Sequence, residues 1–231
     1  MNQDCKRFCL LTTGRSGSTS LMEALEACED IALPKKQIDC PDNELLRPRD
    51  FERHMQDYAA LSGKVVDGQD GLIDAFYDYS AAASYAGFKS MPHRHENYET
   101  FIARPDIHFV TLIREDIAST VASFMLAIYQ GTWRRHGNLP EKRWAFRPED
   151  ALQAQSVLLR LRENLRALQR VPNAVCLSYE QLCEKDFASS ELEQLFGRPI
   201  QIANPTPPIS GAAYTENWEA FLAAIGNPKA V

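Results

Sequence analysis

Thr13, Gly14, Arg15, Ser16, Gly17, Ser18, Thr19 and Ser20 stand side by side in the chain. Their types suit one chemistry, the holding of an oxyanion. Glycines let a backbone turn tightly around a ligand, hydroxyls donate hydrogen bonds, and a guanidinium fits the fork of a phosphate or sulfonate. The nucleotide loop GxxxxGK[ST] is not matched: Thr19 stands five residues past Gly14, and Ser18 rather than a lysine follows Gly17. Serines in this setting also cap helices with no ligand involved. An anion site therefore needs further cations, and Lys89, Arg114, Arg134 and Arg135 can supply them.

The elements that must position these residues follow from the hydrophobic pattern. Residues 8–11 (FCLL) are apolar without alternation, which predicts a buried parallel strand. Leu21, Leu25 and Cys28 then fall at helical spacing, so the small-residue stretch joins a strand to a helix start, where backbone N–H groups favour anions. Residues 85–91 (YAGFKSM) read as a strand stopped by Pro92, with Lys89 near its carboxyl end. Residues 107–113 (IHFVTLI) are the clearest strand and end at Arg114. Asp116 then caps a helix that buries Ile117, Val121, Phe124, Met125 and Ile128 and carries Ser119, Thr120 and Ser123 in its first turns. Ala151, Ala154, Leu158, Leu161, Leu165 and Leu168 form a core stripe on a helix over 148–170, followed by a strand at 174–177 and a helix from Tyr179.

Between these units, residues 31–49 read as an irregular connection broken by Pro34, Pro41 and Pro48. A helix over 51–61 ends at Gly63, Val65 and Val66 suggest a brief strand, 68–71 a turn, and 73–83 a helix. His93 and His95 read as a surface pair with no third metal ligand. The loop 131–147 mixes Trp133, Arg134, Arg135, Trp144 and Arg147, suited to covering a ligand or to packing on the surface. Beyond residue 200 the chain is loop-like, with Pro205, Pro207 and Pro208, up to a last helix near 216–225. Strands alternating with helices predict a single α/β domain over 1–231, with a central parallel sheet flanked by helices.

The chain's 231 residues are enough for one large core, and 45% hydrophobic with 24% charged residues is ordinary globular composition. A net charge of −6 argues against general nucleic-acid binding. No apolar run approaches a membrane span, and the opening residues MNQDCKRF lack an apolar signal region. The six cysteines have no metal-type spacing and read as reduced, mostly core residues of a cytoplasmic protein.

TTGRSGSTS after a strand resembles the 5′-phosphosulfate loop of sulfotransferases that use 3′-phosphoadenosine 5′-phosphosulfate (PAPS), in the bacterial form with an RSGST loop. FVTLIREDIASTVASF resembles the family's 3′-phosphate element, YAGFKSM its lysine-bearing strand, and LSYEQL its YEDL-type stretch. The likeness spans about residues 7–221. It implies a P-loop-like sulfotransferase fold, PAPS as donor, 3′-phosphoadenosine 5′-phosphate (PAP) as product, no metal, and a small-molecule, carbohydrate or lipid acceptor. Residues 13–20 would hold the 5′ end, while Arg15 and Lys89 stabilise the transferred group. Arg114 and Ser123 would hold the 3′-phosphate. Many members space that Arg and Ser by eight, where this chain has Ala122, so Ser123 is taken at nine, with Ser119 in reserve. Cytosolic members carry a catalytic His two residues after the strand lysine, and Met91 stands there. The base is then Glu44 in PDNELL, as in bacterial relatives, or else His93. Two other readings stay open: a non-catalytic PAPS- or PAP-binding module, and an atypical P-loop kinase.

Overall fold

The computed structural model describes residues 5–131, 143–172, 174–202 and 210–226. In chain order the elements are β1 (Lys6–Thr12), α1 (Ser18–Glu26), β2 (Ile31–Ala32), α2 (Phe51–Ser62), α3 (Gly68–Tyr79), β3 (Tyr85–Ser90), α4 (Tyr98–Ile102) and β4 (Ile107–Ile113). There follow α5 (Ile117–Gln130), α6 (Pro148–Ala167), β5 (Val175–Ser178), α7 (Tyr179–Leu182), α8 (Ser190–Phe196) and α9 (Trp218–Ile225). The fold is α/β. The five strands form one sheet in the order β2-β3-β1-β4-β5, with every pairing parallel and helices on both faces.

β1 is the centre of that sheet because both its faces are apolar. Phe8 and Leu10 pack with Leu21, Met22 and Leu25 of α1 and with Leu192, Leu195 and Phe196 of α8. Cys9 and Leu11 point the other way, into a cluster with Tyr58, Phe76, Tyr77, Leu165 and Leu168. Each such fully buried side chain contributes roughly 1.5–3 kcal/mol of transfer free energy. A third cluster joins α5, α6 and α9 through Val121, Met125, Ala151, Leu158 and Phe221. Gly87 of β3 lies under the Phe8 ring, where a Cβ would come within 2.4 Å of the ring carbons. Only glycine fits beneath that phenyl group.

The order of the strands fixes where a ligand fits. From β1 the chain crosses toward β2 and β3, and from β4 it crosses the other way, to β5. Between the carboxyl ends of β1 and β4 the connections therefore diverge, the position at which open α/β sheets form their ligand crevice. The loop after β1 and Arg114 after β4 flank it.

Several expected elements differ. Residues 31–49 hold an edge strand, β2, and Pro34, Pro41 and Pro48 each open a 3-10 turn rather than only breaking a helix, since proline's fixed φ suits a first helical position. Val65 and Val66 form no strand, and Val65 is almost fully exposed. Gly68–Gly71 is the first turn of α3, entered through Gly68 at φ 65°, a left-handed conformation that suits glycine. Cys28 lies past the end of α1, and Ile128 is exposed on α5. All six cysteines are free, but only Cys9 and Cys40 are core residues. Cys176 is exposed because alternate β5 side chains leave the sheet's inner face. Among the described residues no helix is long and apolar enough to cross a membrane. Pro205, Pro207 and Pro208 lie outside them.

Candidate functional site

The loop between β1 and α1 is built by its own hydroxyls. Ser16 is fully buried, and its hydroxyl donates to the Thr13 carbonyl at 2.9 Å while pairing with the Thr12 hydroxyl. The Thr12 hydroxyl also lies 3.2 Å from the Leu112 carbonyl and ties the loop to β4. Thr13 is buried as well, so the side chains of Thr13 and Ser16 shape the loop from inside. Arg15 and Gly17 hold φ at 67° and 80°, in the left-handed region. Backbone turns of this hand form the nests that bind anions. Gly17 is the N-cap of α1, with no side-chain cap and no acidic residue in the helix's first turn, so the positive end of the helix is left for a ligand's charge. Ser18, Thr19 and Ser20 are half-buried in that turn, and a Cβ added at Gly14 would lie 3.6 Å from the Phe124 ring.

Three cations reach this edge. Arg15 crosses the crevice, and its Nε donates to the Ser123 hydroxyl on α5 at 3.0 Å. Arg114, 6% exposed, ends β4 with its guanidinium 4.9 Å above the Tyr179 ring centroid. Lys89, 5% exposed, sits one residue before the end of β3, opposite Leu10 of β1. Asp116 caps α5 by accepting from the Ser119 N–H at 2.9 Å, which sets the helix that carries Ser123. Ser119 is committed elsewhere: its hydroxyl accepts from the Gly211 N–H at 3.1 Å and its carbonyl accepts from the Tyr214 hydroxyl at 3.2 Å. Of the two serines, Ser123 is the one in contact with the loop.

Glu44 arrives from the other side of the sheet. Asp42 and Asn43 both take left-handed φ, 61° and 57°, a conformation their short polar side chains tolerate. The Asn43 side chain accepts from the Lys35 N–H at 2.8 Å, and the His54 ring meets the Leu45 carbonyl at 2.8 Å. These contacts hold the bend that bridges Glu44 to Lys89 in parallel pairing. The Glu44 side chain is 5% exposed, with Oε1 3.3 Å from Arg94 Nε and Oε2 3.7 Å from Arg47 Nε. Oε1 has no aligned hydrogen bond despite its burial. The Cys40 thiol nearby is pushed up to about 12 by burial, with Arg47 opposing.

His93 stands on the turn after β3, at the surface. Desolvation, then Arg94, lowers its pKa, while Glu44 works against them. His95 is not a surface residue: it is buried, stacked on Phe101 at 3.9 Å between centroids, and its pKa is lowered to about 4 by burial. Its ring is half of an aromatic contact that the HxH spacing does not reveal. Among the described residues no three His, Cys, Asp or Glu gather as a metal-ligand set.

The aromatic residues around the site divide between core and surface. Tyr77 is buried and donates to the Phe8 carbonyl at 2.8 Å, whereas Tyr79 is exposed with its ring against Tyr58. Trp144 pairs with Thr215 and lies against Tyr129. Trp133, Arg134 and Arg135 lie outside the described residues. Two neighbours of the site, Arg47 and Arg94, carried no signal of their own in the sequence, and the Tyr179 ring beneath Arg114 was marked only as part of LSYEQL. The Asp-Asn pair before Glu44 was the available hint, because that dipeptide favours turns. No protein-family model and no curated protein matches this sequence.

Proposed function

We propose that this chain is a PAPS-dependent sulfotransferase that moves a sulfuryl group to a hydroxyl of a small-molecule, carbohydrate or lipid acceptor. The observation that carries the reading is the Arg15–Ser123 hydrogen bond across the β1/β4 crevice. It joins the two stretches that resemble the 5′ and 3′ elements of the donor site. Arg114 on one flank and Lys89 on the other add buried charge suited to a ligand with anionic groups at two ends.

The division of labour follows from position. The start of α1, with Ser18, Thr19 and the loop amides, holds the 5′ end of the donor, and Arg114 with Ser123 holds the 3′-phosphate. Glu44 takes the proton of the acceptor hydroxyl as that oxygen forms its bond to sulfur. The bond from sulfur to the bridging phosphate oxygen breaks with its electron pair on that oxygen. Arg15 and Lys89 stabilise the charge gathering there. Positioning and charge stabilisation supply most of the acceleration in transfers of this type.

The close wrapping of Glu44 by Arg47 and Arg94 favours a second reading, in which the chain binds PAP without turnover and Glu44 is an ion-pair hub. A thermal-shift titration with PAP beside Mg-ATP tests the donor site, since a ligand specific to the native state raises Tm with concentration. A shift with PAP that Arg114→Ala abolishes is expected. A shift with Mg-ATP alone would bring the kinase reading forward instead.

A further inference from the structure

Tyr179 and Glu180 open α7 directly after β5 and have no task in the transfer described above. We infer that they are positioning residues for Arg114, holding it and the turn after β4 in the pose that selects a 3′-phosphorylated nucleotide. This rests on the donor-site reading.

A single ring touches both halves of the site. Tyr179 is buried, with the Arg114 guanidinium 4.9 Å above its centroid. Its edge also fills the space beside Gly17, where a Cβ would lie 2.4 Å from Cδ2. A guanidinium laid on an aromatic face is fixed in plane and still offers its edge N–H groups to an anion. Glu180 acts one residue further on. Its carboxylate accepts from the N–H of Glu115 at 3.1 Å and of Asp116 at 3.2 Å, the two residues that follow Arg114. From α6, Arg162 pairs with the Glu115 carboxylate and Arg166 reaches it at 3.1 Å. The turn after Arg114 is thus held by its backbone and by a side chain.

The clamp itself is rigid. Ser178 and Gln181 form a reciprocal capping box around the first turn of α7, which fixes the direction in which Tyr179 and Glu180 project. The residue types match the task. The Tyr179 ring supplies a flat surface and the Glu180 carboxylate two acceptor oxygens.

Calorimetry on the full chain, with PAP and by competition with adenosine 5′-monophosphate, which lacks the 3′-phosphate, tests this. Glu180→Ala is expected to weaken PAP about tenfold while leaving the monophosphate unchanged, and Tyr179→Leu to weaken PAP about tenfold more than it weakens the monophosphate. Glu180→Ala should not add to the loss in an Arg114→Ala background. Tyr179→Phe, which keeps the ring, should bind PAP as the wild type does. Weakening of both nucleotides alike, no weakening of PAP, or a loss in Tyr179→Phe equal to that in Tyr179→Leu would overturn the inference while leaving the donor site standing. If the wild type does not bind PAP, the donor reading falls and takes this inference with it. Should Tyr179→Leu fail to fold, Glu180→Ala decides alone, because Glu180 lies outside the core clusters.

Discussion

Arg15 keeps a left-handed backbone that costs a non-glycine residue about 1–2 kcal/mol, and Gly17 two residues on keeps another that costs it little. Gly17→Ala is therefore expected to destabilise the protein by about 1–3 kcal/mol, read as a lower urea midpoint, because the methyl group meets both the strained φ and the Tyr179 ring. It should weaken PAP as well. At Glu44 the expected result is different in kind. Glu44→Gln keeps size and burial but removes the carboxylate proposed as the base, and under that proposal turnover should fall by about 10²–10⁴ with PAP affinity retained. Unchanged turnover would assign Glu44 to the Arg47 and Arg94 ion pairs alone.

The helices that carry these residues depend on their caps. Asp116 is the N-cap of α5, and Asp116→Ala should lower stability by about 1 kcal/mol in urea melts. It should also loosen the turn after Arg114, lowering PAP affinity more than Ser178→Ala does at α7. Elements with long unbroken periodicity were legible in the sequence: β4, α2 and the stripe of α6 fall where the pattern places them. Short pieces were not. β2 has only two residues, and its strand character comes from pairing with Tyr85 and Ala86 of β3, which no local pattern encodes. The loop between β1 and α1 was legible as a strand-to-helix turn because its glycines and hydroxyls are contiguous. The partners of Glu44 were not, because Arg47 and Arg94 meet only where two loops fold over the end of β3.

Across the whole molecule, buried histidine links stability to pH. His95 titrates near 4 when folded and near 6.5 when unfolded, so between those values the unfolded chain binds more protons. Stability should be fully present above pH 6.5 and fall as pH drops toward 4, by on the order of 3 kcal/mol from this ring. His93 and His108, lowered in the same direction, add to the slope, and His95→Phe should flatten it in a pH series of urea melts. The sheet order has a further consequence during synthesis. β1 pairs on one side with β3 and on the other with β4, and Thr12 meets Leu112, a hundred residues later. At 5–20 residues per second the ribosome needs roughly 5–20 s to make that interval. Until β3 is made the FCLL strand has both edges open, and the edge that β4 will cover stays open for the whole interval. A nascent chain arrested before β4 emerges is expected to be cut by protease within residues 6–12 and to be held by chaperones, while one arrested past β5 should resist both.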